Sequence, residues 1–341
     1  MSVTLKQVAE LAGTSVPAAS LVLNRKGDRY SAETIRRIES AAKELGYRPN
    51  HRGRSLAKQR TQCVGLAYGK PGDYVEQSRM VAALVEELAK VDYELMLIPA
   101  VGSVDRWAYK LHDGRVDGVI ITHPMPDGLD QLVAERELAA VLMNLRSEEA
   151  VAQVFYDDVA GTRQAMAHLF ELGHERITYF SAPKCDGAHY SDTDRRDTYV
   201  TEMRAAGLDQ YLEVVTQQPG DEDFAYNLAA RPASERPTAL LIYCDHDTRH
   251  LIHALSLLDL QVPTDISIVS FTENKKSWES VEGLTALKTP ADELAARVVS
   301  LLMKQIDSPG NTVPPPVSLK EKLVIGRSTA RRGAQDCEPN A

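Results

Sequence analysis

The sequence predicts a mixed α/β chain, with a small all-helical head followed by a large core of two similar halves built on parallel sheets. Three observations carry that prediction. Residues 1–60 hold apolar side chains at helical spacing in three short stretches, with a glycine between the first two. After Thr61, short apolar runs alternate with amphipathic stretches, which is the beat of a parallel sheet covered on both faces. The charge divides at the same place. Residues 1–60 carry 12 Lys+Arg against 5 Asp+Glu and the rest carries 27 against 43, so the net −9 averages a head of +7 and a body of −16.

Composition narrows the class. A length of 341 residues suggests two or three domains, and 43% hydrophobic with 26% charged residues is ordinary for a soluble globular protein. No apolar run reaches the roughly 18 residues a membrane span needs, and Met1 to Glu10 reads as an amphipathic helix start, not an export signal. Cys63, Cys185, Cys244 and Cys337 are scattered without a C-x-x-C pair, so neither a zinc ribbon nor a disulfide framework fits. A reducing cytoplasm is the expected location. A basic end on an acidic body suits a surface that neutralises phosphates; charge alone leaves DNA, RNA and anionic lipid open.

In the head, Thr4-Leu5-Lys6-Gln7 is a capping box, in which hydroxyl and amide satisfy each other's free backbone N–H groups. Leu5, Val8, Ala9 and Ala12 form one apolar face, and Gly13 ends the helix in a tight turn. Ser15 is positioned to cap a second helix, with Pro17 in its first turn, where no intrahelical N–H is lost. Ala19, Val22 and Leu23 face inward, and Asn24 with Gly27 breaks the helix. A third begins near Ser31, buries Ile35, Ile38, Ala42 and Leu45, and stops at Gly46. Two short helices around a glycine turn, supported by a third, form a helix-turn-helix unit whose second helix enters the major groove.

The string from Thr4 to Asn24, together with Glu44-Leu-Gly-Tyr-Arg-Pro-Asn50 and Gly53-Arg-Ser-Leu-Ala57, resembles the opening of the lactose-repressor/galactose-repressor family. The resemblance implies a hinge helix over residues 50–60 that folds on operator DNA, with Leu56 wedged into the minor groove. The residues it points to as DNA contacts are Thr4, Ser15, Val16, Pro17, Ala18, Ser20, Leu21, Asn24, Arg25, Tyr47, Asn50, Arg54, Ser55 and Leu56. The family's recognition helix usually opens on a polar or aromatic pair and often carries a later arginine. This chain has Val16, Pro17, Ala18 and Ala19, and Leu21 where the arginine would stand. Arginine reads guanine bidentately, whereas leucine makes only apolar contacts, for example with a thymine methyl. Arg25, Lys26 and Arg29 suit phosphates better than bases.

The core's expected strands are Val64–Ala67, Leu95–Ile98, Gly118–Ile121, Ala140–Met143, Ile177–Phe180, Ala239–Ile242 and Ile266–Val269. Val116-Asp-Gly-Val-Ile-Ile121, Asp157 with Gly161, His168 to Ile177, and Asp265 to Phe271 continue the resemblance to about Gly326, implying a core like that of periplasmic binding proteins. The expected organisation is a head at 1–49, a hinge at 50–60, a core at 61–330 and a disordered tail at 331–341. The first half of the core covers about 61–157 and 288–316, and the second about 158–287 and 317–330. Ligands of such sheets sit outside the strand carboxyl ends.

Topology places Tyr74, Gln77 and Thr122 in the first half of that cleft, with Asp73 and His123 beside them, and the resemblance adds Asp157. In relatives, an arginine at the position of Arg195 binds effector hydroxyls or a carboxylate through its five fixed donors. The alternative is a surface arginine paired with Asp192, Asp194 or Asp197. Cys244-Asp245 stands where the family has Asn-Asp, and Ser270-Phe271-Thr272 where it has Gly-Phe-Asp, so an amide and a carboxylate suited to sugar hydroxyls are both missing.

No nucleophile elbow, Walker loop or dinucleotide fingerprint occurs. His246, His250 and His253 share a helical face but lack the glutamate of H-E-x-x-H, and a solvated face is the commoner reading of such a trio; Cys185, Asp186 and His189 form a looser group. Neither a metal nor a cofactor is expected. A plain sugar-binding protein, or an enzyme on the same core, is the rival class, and the head argues against both. The resemblance implies a homodimer on double-stranded operator DNA, tuned by a small, carbohydrate-like effector. Leucine heptads that could form a tetramerising coil are missing from the tail.

Overall fold

The computed structural model describes residues 3–24, 29–47, 60–68, 75–99, 104–122, 125, 127–135, 138–181, 189–216, 223–243, 245–272, 283–310 and 312–332. The chain divides into two compact units, Met1–Thr61 and Gln62–Ala341.

Among the described residues the head holds three helices, α1 (Leu5–Leu11), α2 (Val16–Leu23) and α3 (Ala32–Glu44). Each starts at a side-chain cap. Thr4 Oγ1 accepts from the Gln7 N–H while Gln7 Oε1 accepts from the Thr4 N–H at 2.8 Å, which is the reciprocal box the sequence predicts. Ser15 caps α2 through the Ala18 N–H, and Ser31 caps α3 through the Thr34 N–H. Gly13 (φ 57°) and Gly46 (φ 64°) take the left-handed turns that end α1 and α3. Val8, Ala9, Ala12, Ala19, Val22, Ile38, Ala41 and Ala42 form one core among the three helices. Arg37 locks the turn, its Nη2 donating to the carbonyls of Ala12 (2.6 Å) and Gly13 (3.0 Å).

The second unit carries two six-stranded sheets. Strands β1 (Cys63–Tyr68), β2 (Glu94–Pro99), β3 (Gly118–Ile121), β4 (Ala140–Met143), β5 (Ala152–Tyr156) and β11 (Val317–Leu319) form the first, in the order 11-5-4-3-1-2. The second holds β6 (Ile177–Ser181), β7 (Glu213–Thr216), β8 (Ala239–Ile242), β9 (Ser267–Thr272), β10 (Thr285–Lys288) and β12 (Lys322–Val324), in the order 12-10-9-8-6-7. Among the described residues the strand pairs are parallel, except β10 with β12, which is antiparallel. Continuous burial of Gly118–Ile121, Ala140–Met143, Ile177–Ser181 and Ala239–Ile242 explains why these strands read as unbroken apolar runs and not as alternation.

Helices cover both faces of each sheet, giving four apolar layers. Helices α4 (Val75–Ala89) and α11 (Ala291–Asp307) close one face of the first sheet with Leu84, Leu88, Leu294, Val298 and Leu302, and α5 (Val104–His112) and α6 (Leu129–Glu135) close the other with Trp107, Leu129 and Val133. Helices α7 (Asp158–Glu171) and α8 (Tyr190–Ala205) cover one face of the second sheet, and α9 (Asp223–Ala230) and α10 (Asp245–Leu257) the other.

The chain passes between the halves at three places: from β5 into α7, from β10 into α11, and from β11 into β12. This corrects two expected boundaries. Residues 317–319 pair with β5 and belong to the first sheet, so the last crossing lies at Lys320–Glu321. Lys288 pairs with Thr272 in the second sheet, so the middle crossing follows it. The expected tail also begins later than residue 331, because Arg332 donates its N–H to the Leu172 carbonyl at 2.9 Å. Residues 333–341 lie outside the described chain.

Candidate functional site

On the head, α2 turns Ala18, Ala19 and Val22 inward and leaves Val16 and Pro17 exposed, with Ser20 and Leu21 half-exposed. Ala18, expected to face a groove, is therefore corrected to a buried position: the Ser15 cap holds its N–H and the helix turns its methyl inward. Asn24 donates from Nδ2 to the carbonyl (2.8 Å) and hydroxyl (3.3 Å) of Ser20. Tyr47 packs on the head's core. Arg25, Asn50, Arg54, Ser55 and Leu56 lie outside the described residues.

In the core, each sheet reverses its strand order beside its first strand, between β1 and β3 and between β6 and β8. Ligands of open α/β sheets bind outside such switch points. Thr122 stands just past β3, buried, with its N–H on the Ala67 carbonyl. Ser181 and Tyr243 stand at the corresponding ends of β6 and β8. Here the two halves touch. Asn144, after β4, accepts from the Tyr190 hydroxyl through Oδ1 (2.7 Å), and its backbone carbonyl lies 2.7 Å from His189 Nε2. Tyr190 Oη also accepts from the Tyr156 N–H, and burial drives its phenol pKa well up, holding it as a donor. Arg146 pairs with Asp194 at 2.6 Å and stacks over the rings of Phe155 (4.4 Å) and Tyr190 (4.3 Å). Burial raises the Asp194 carboxyl, and the Arg146 charge opposes that shift. Ser191 Oγ lies 2.9 Å from the Tyr243 hydroxyl, and Ser181 donates to Asp192.

Arg195 is not the open fork expected of an effector ligand. Its side chain is 9% exposed, and Nε donates to Asp158 Oδ1 at 2.6 Å. Nη1 donates to the Tyr243 carbonyl at 2.7 Å, Nη2 lies 3.9 Å from Glu321, and the guanidinium sits 3.8 Å over the Phe271 ring. Burial works to lower its pKa, but the charges of Asp158 and Glu321 outweigh that and keep it protonated. Asp158 opens α7 just after the first crossing, and Glu321 sits at the third. One arginine thus fastens two of the three inter-half connections. Gly161 belongs to the same device, since a Cβ there would overlap the Glu321 carboxylate.

Of the sequence's doublet, Asp157 is the helix cap, accepting from the Ala160 N–H at 3.0 Å, and Asp158 is the buried ion. Neither the three aspartates proposed as surface partners nor any local spacing signalled Glu321. Tyr74 and Cys244 lie outside the described residues, as do the side chains of Gln77, Asp245 and Thr272. The same holds for Cys185, Asp186 and the side chains of His246 and His250. Among the described residues no helix is long and apolar enough to cross a membrane.

Comparison with known proteins bears on both units. Residues 4–50 match the model for bacterial regulatory proteins of the lacI family, and residues 166–329 match that for a periplasmic binding protein-like domain. The chain is 26% identical to the lactose operon repressor of Escherichia coli (strain K12), covering 99% of this chain and 94% of that protein. It is 27% identical to the ribose operon repressor of the same strain, over 90% and 94%. It is 26% identical to the HTH-type transcriptional regulator CelR of Thermobifida fusca, over 95% and 98%. In fold it is similar to the lac repressor dimer bound to operator and the anti-inducer ONPF, with a TM-score of 0.80 at 23% identity, covering 97% of this chain and 100% of that one. The CelR–cellobiose complex gives 0.66 at 23% identity, over 96% and 99%.

Proposed function

Since the chain belongs to the lactose-repressor/galactose-repressor family of DNA-binding transcription regulators, we propose that it acts as a cytoplasmic homodimeric repressor, released from or fixed on its operator by a small polyhydroxylated effector. The observation that carries this reading is the joining of a capped, basic helix-turn-helix head to a two-half core whose halves meet at the Asn144–Tyr190 and Arg146–Asp194 contacts. It works by binding and not by catalysis. A two-fold protein reads a two-fold site, so the operator is pseudo-palindromic. Edge strand β2 and the region of α4 leave Leu97, Val85 and Val91 exposed, an apolar surface that a second copy can cover.

The effector class follows from the cleft's chemistry. Asn144, His189, Tyr190, Ser191 and Tyr243 gather donors and acceptors beside aromatic faces, which suits vicinal hydroxyls. An effector that competes for these groups changes the contacts holding the halves together, and that change is what couples it to operator affinity. Arg195 positions that joint through Asp158 and Glu321.

The test is to titrate a panel of mono- and disaccharides into the complex of the full chain with a DNA selected from a random pool. One class of sugar is expected to change operator affinity by about five- to 150-fold, the usual range of allosteric coupling, and DNA must change that sugar's affinity by the same factor. A sugar that binds without altering DNA affinity would leave a binding protein and remove the regulator.

A further inference from the structure

The recognition helix α2 carries no charged side chain: its eight residues are Val16-Pro-Ala-Ala-Ser-Leu-Val-Leu23. At about 100° per residue, positions 16, 17, 20 and 21 share the face opposite the buried Ala18, Ala19 and Val22. Along it Val16 is 40% exposed, Pro17 is exposed and Leu21 is half-exposed. The polar groups of that stripe are turned toward one another, with the Asn24 amide donating to the Ser20 carbonyl and hydroxyl. The stripe therefore offers methyl and methylene surface with the Ser20 hydroxyl and the Asn24 Oδ1 acceptor as its polar atoms, on a head that is +7 and so is drawn to phosphate whatever the sequence.

In the major groove a guanine edge offers two acceptors, an adenine an acceptor and a donor, and cytosine a donor; thymine alone adds a methyl group. An apolar helix leaves the polar edges without a partner, and only the thymine methyl gains by contact. Building on the regulator reading above, we infer that Val16, Pro17 and Leu21 select the operator half-site through thymine methyl groups, with the phosphates supplying affinity and no arginine or amide fork reading a purine. The half-site is T-rich where α2 lies, and methyl burial carries its specificity.

The experiment uses the full chain and a half-site selected from random DNA. Replacing each thymine facing α2 by deoxyuridine removes only the methyl, and affinity should fall about fourfold per base, the value of one buried methyl group. At the same positions 5-methylcytosine should bind tighter than cytosine. In Leu21→Ala and Val16→Ala proteins the thymine–deoxyuridine difference should vanish at the base that each residue faces. A selected site indifferent to deoxyuridine, or discrimination untouched in both variants, overturns the inference while leaving the regulator reading intact. Failure to select any sequence refutes the regulator reading itself.

Discussion

Arg195→Ala is expected to destabilise the α/β core by about 3–5 kcal/mol, the usual cost of removing one partner from a buried ion pair. The substitution leaves the Asp158 and Glu321 carboxylates facing each other in a dry site, with the Tyr243 carbonyl and the Phe271 ring no longer covered. Since the two acids sit at two of the three passages between halves, their repulsion acts on the joint itself. A chemical denaturation curve of the full chain should show the core transition at lower denaturant. Replacing all three residues together by apolar ones of similar volume should recover much of the loss, because no unpaired charge is then buried. A loss below about 1 kcal/mol, the scale of an exposed pair, accompanied by lost sugar binding, would return Arg195 to the role of a direct effector ligand.

The second large effect belongs to the head. Ile38 is fully buried where α3 packs on α1 and α2. Trimming a core isoleucine to alanine costs about 2–5 kcal/mol, and a unit the size of Met1–Thr61 commands only about 3–9 kcal/mol in total. Ile38→Ala should therefore unfold a large share of the heads at ambient temperature and take DNA binding down with them. Calorimetry should show the head transition lost or lowered while the core transition stays in place. A head that melts unchanged would mean that its stability comes from elsewhere in the chain.

What the sequence revealed divides along a physical line. Helix caps are local, so Thr4 and Ser15 could be assigned as caps from nearby residue types, and the structure places both as read; Ser31, read only as the start of α3, proves to cap it as well. Continuously apolar strands were equally visible, because burial on both faces leaves no alternation to misread. The strands that escaped were short, polar or both. Glu213–Thr216 is only half-buried and carries an acid bound to Arg231, β11 and β12 hold three residues each, β5 hides Gln153 among its apolar neighbours, and β10 is a four-residue strand framed by Thr285 and Lys288.

The cleft was legible as a location and not as a set of partners. Arg195 stands out in the sequence as a candidate effector ligand, but its partners in the structure come from other elements, and one lies near the far end of the chain. Only the folded crossings bring Glu321 to Gly161 and Arg195. Asn144, Tyr190 and Arg146 were invisible for the same reason: they matter because two halves meet there, a relation that no spacing in either half encodes.

The salt dependence of DNA binding tests the central claim most directly. Affinity of the full chain for its selected palindrome should be measured across a range of salt concentrations, alongside the chain lacking residues 1–60. Neutralising about six phosphates predicts a log–log slope near −5 for the full chain, and no measurable binding by the truncated one. A slope near zero, or equal binding without the head, would contradict the account.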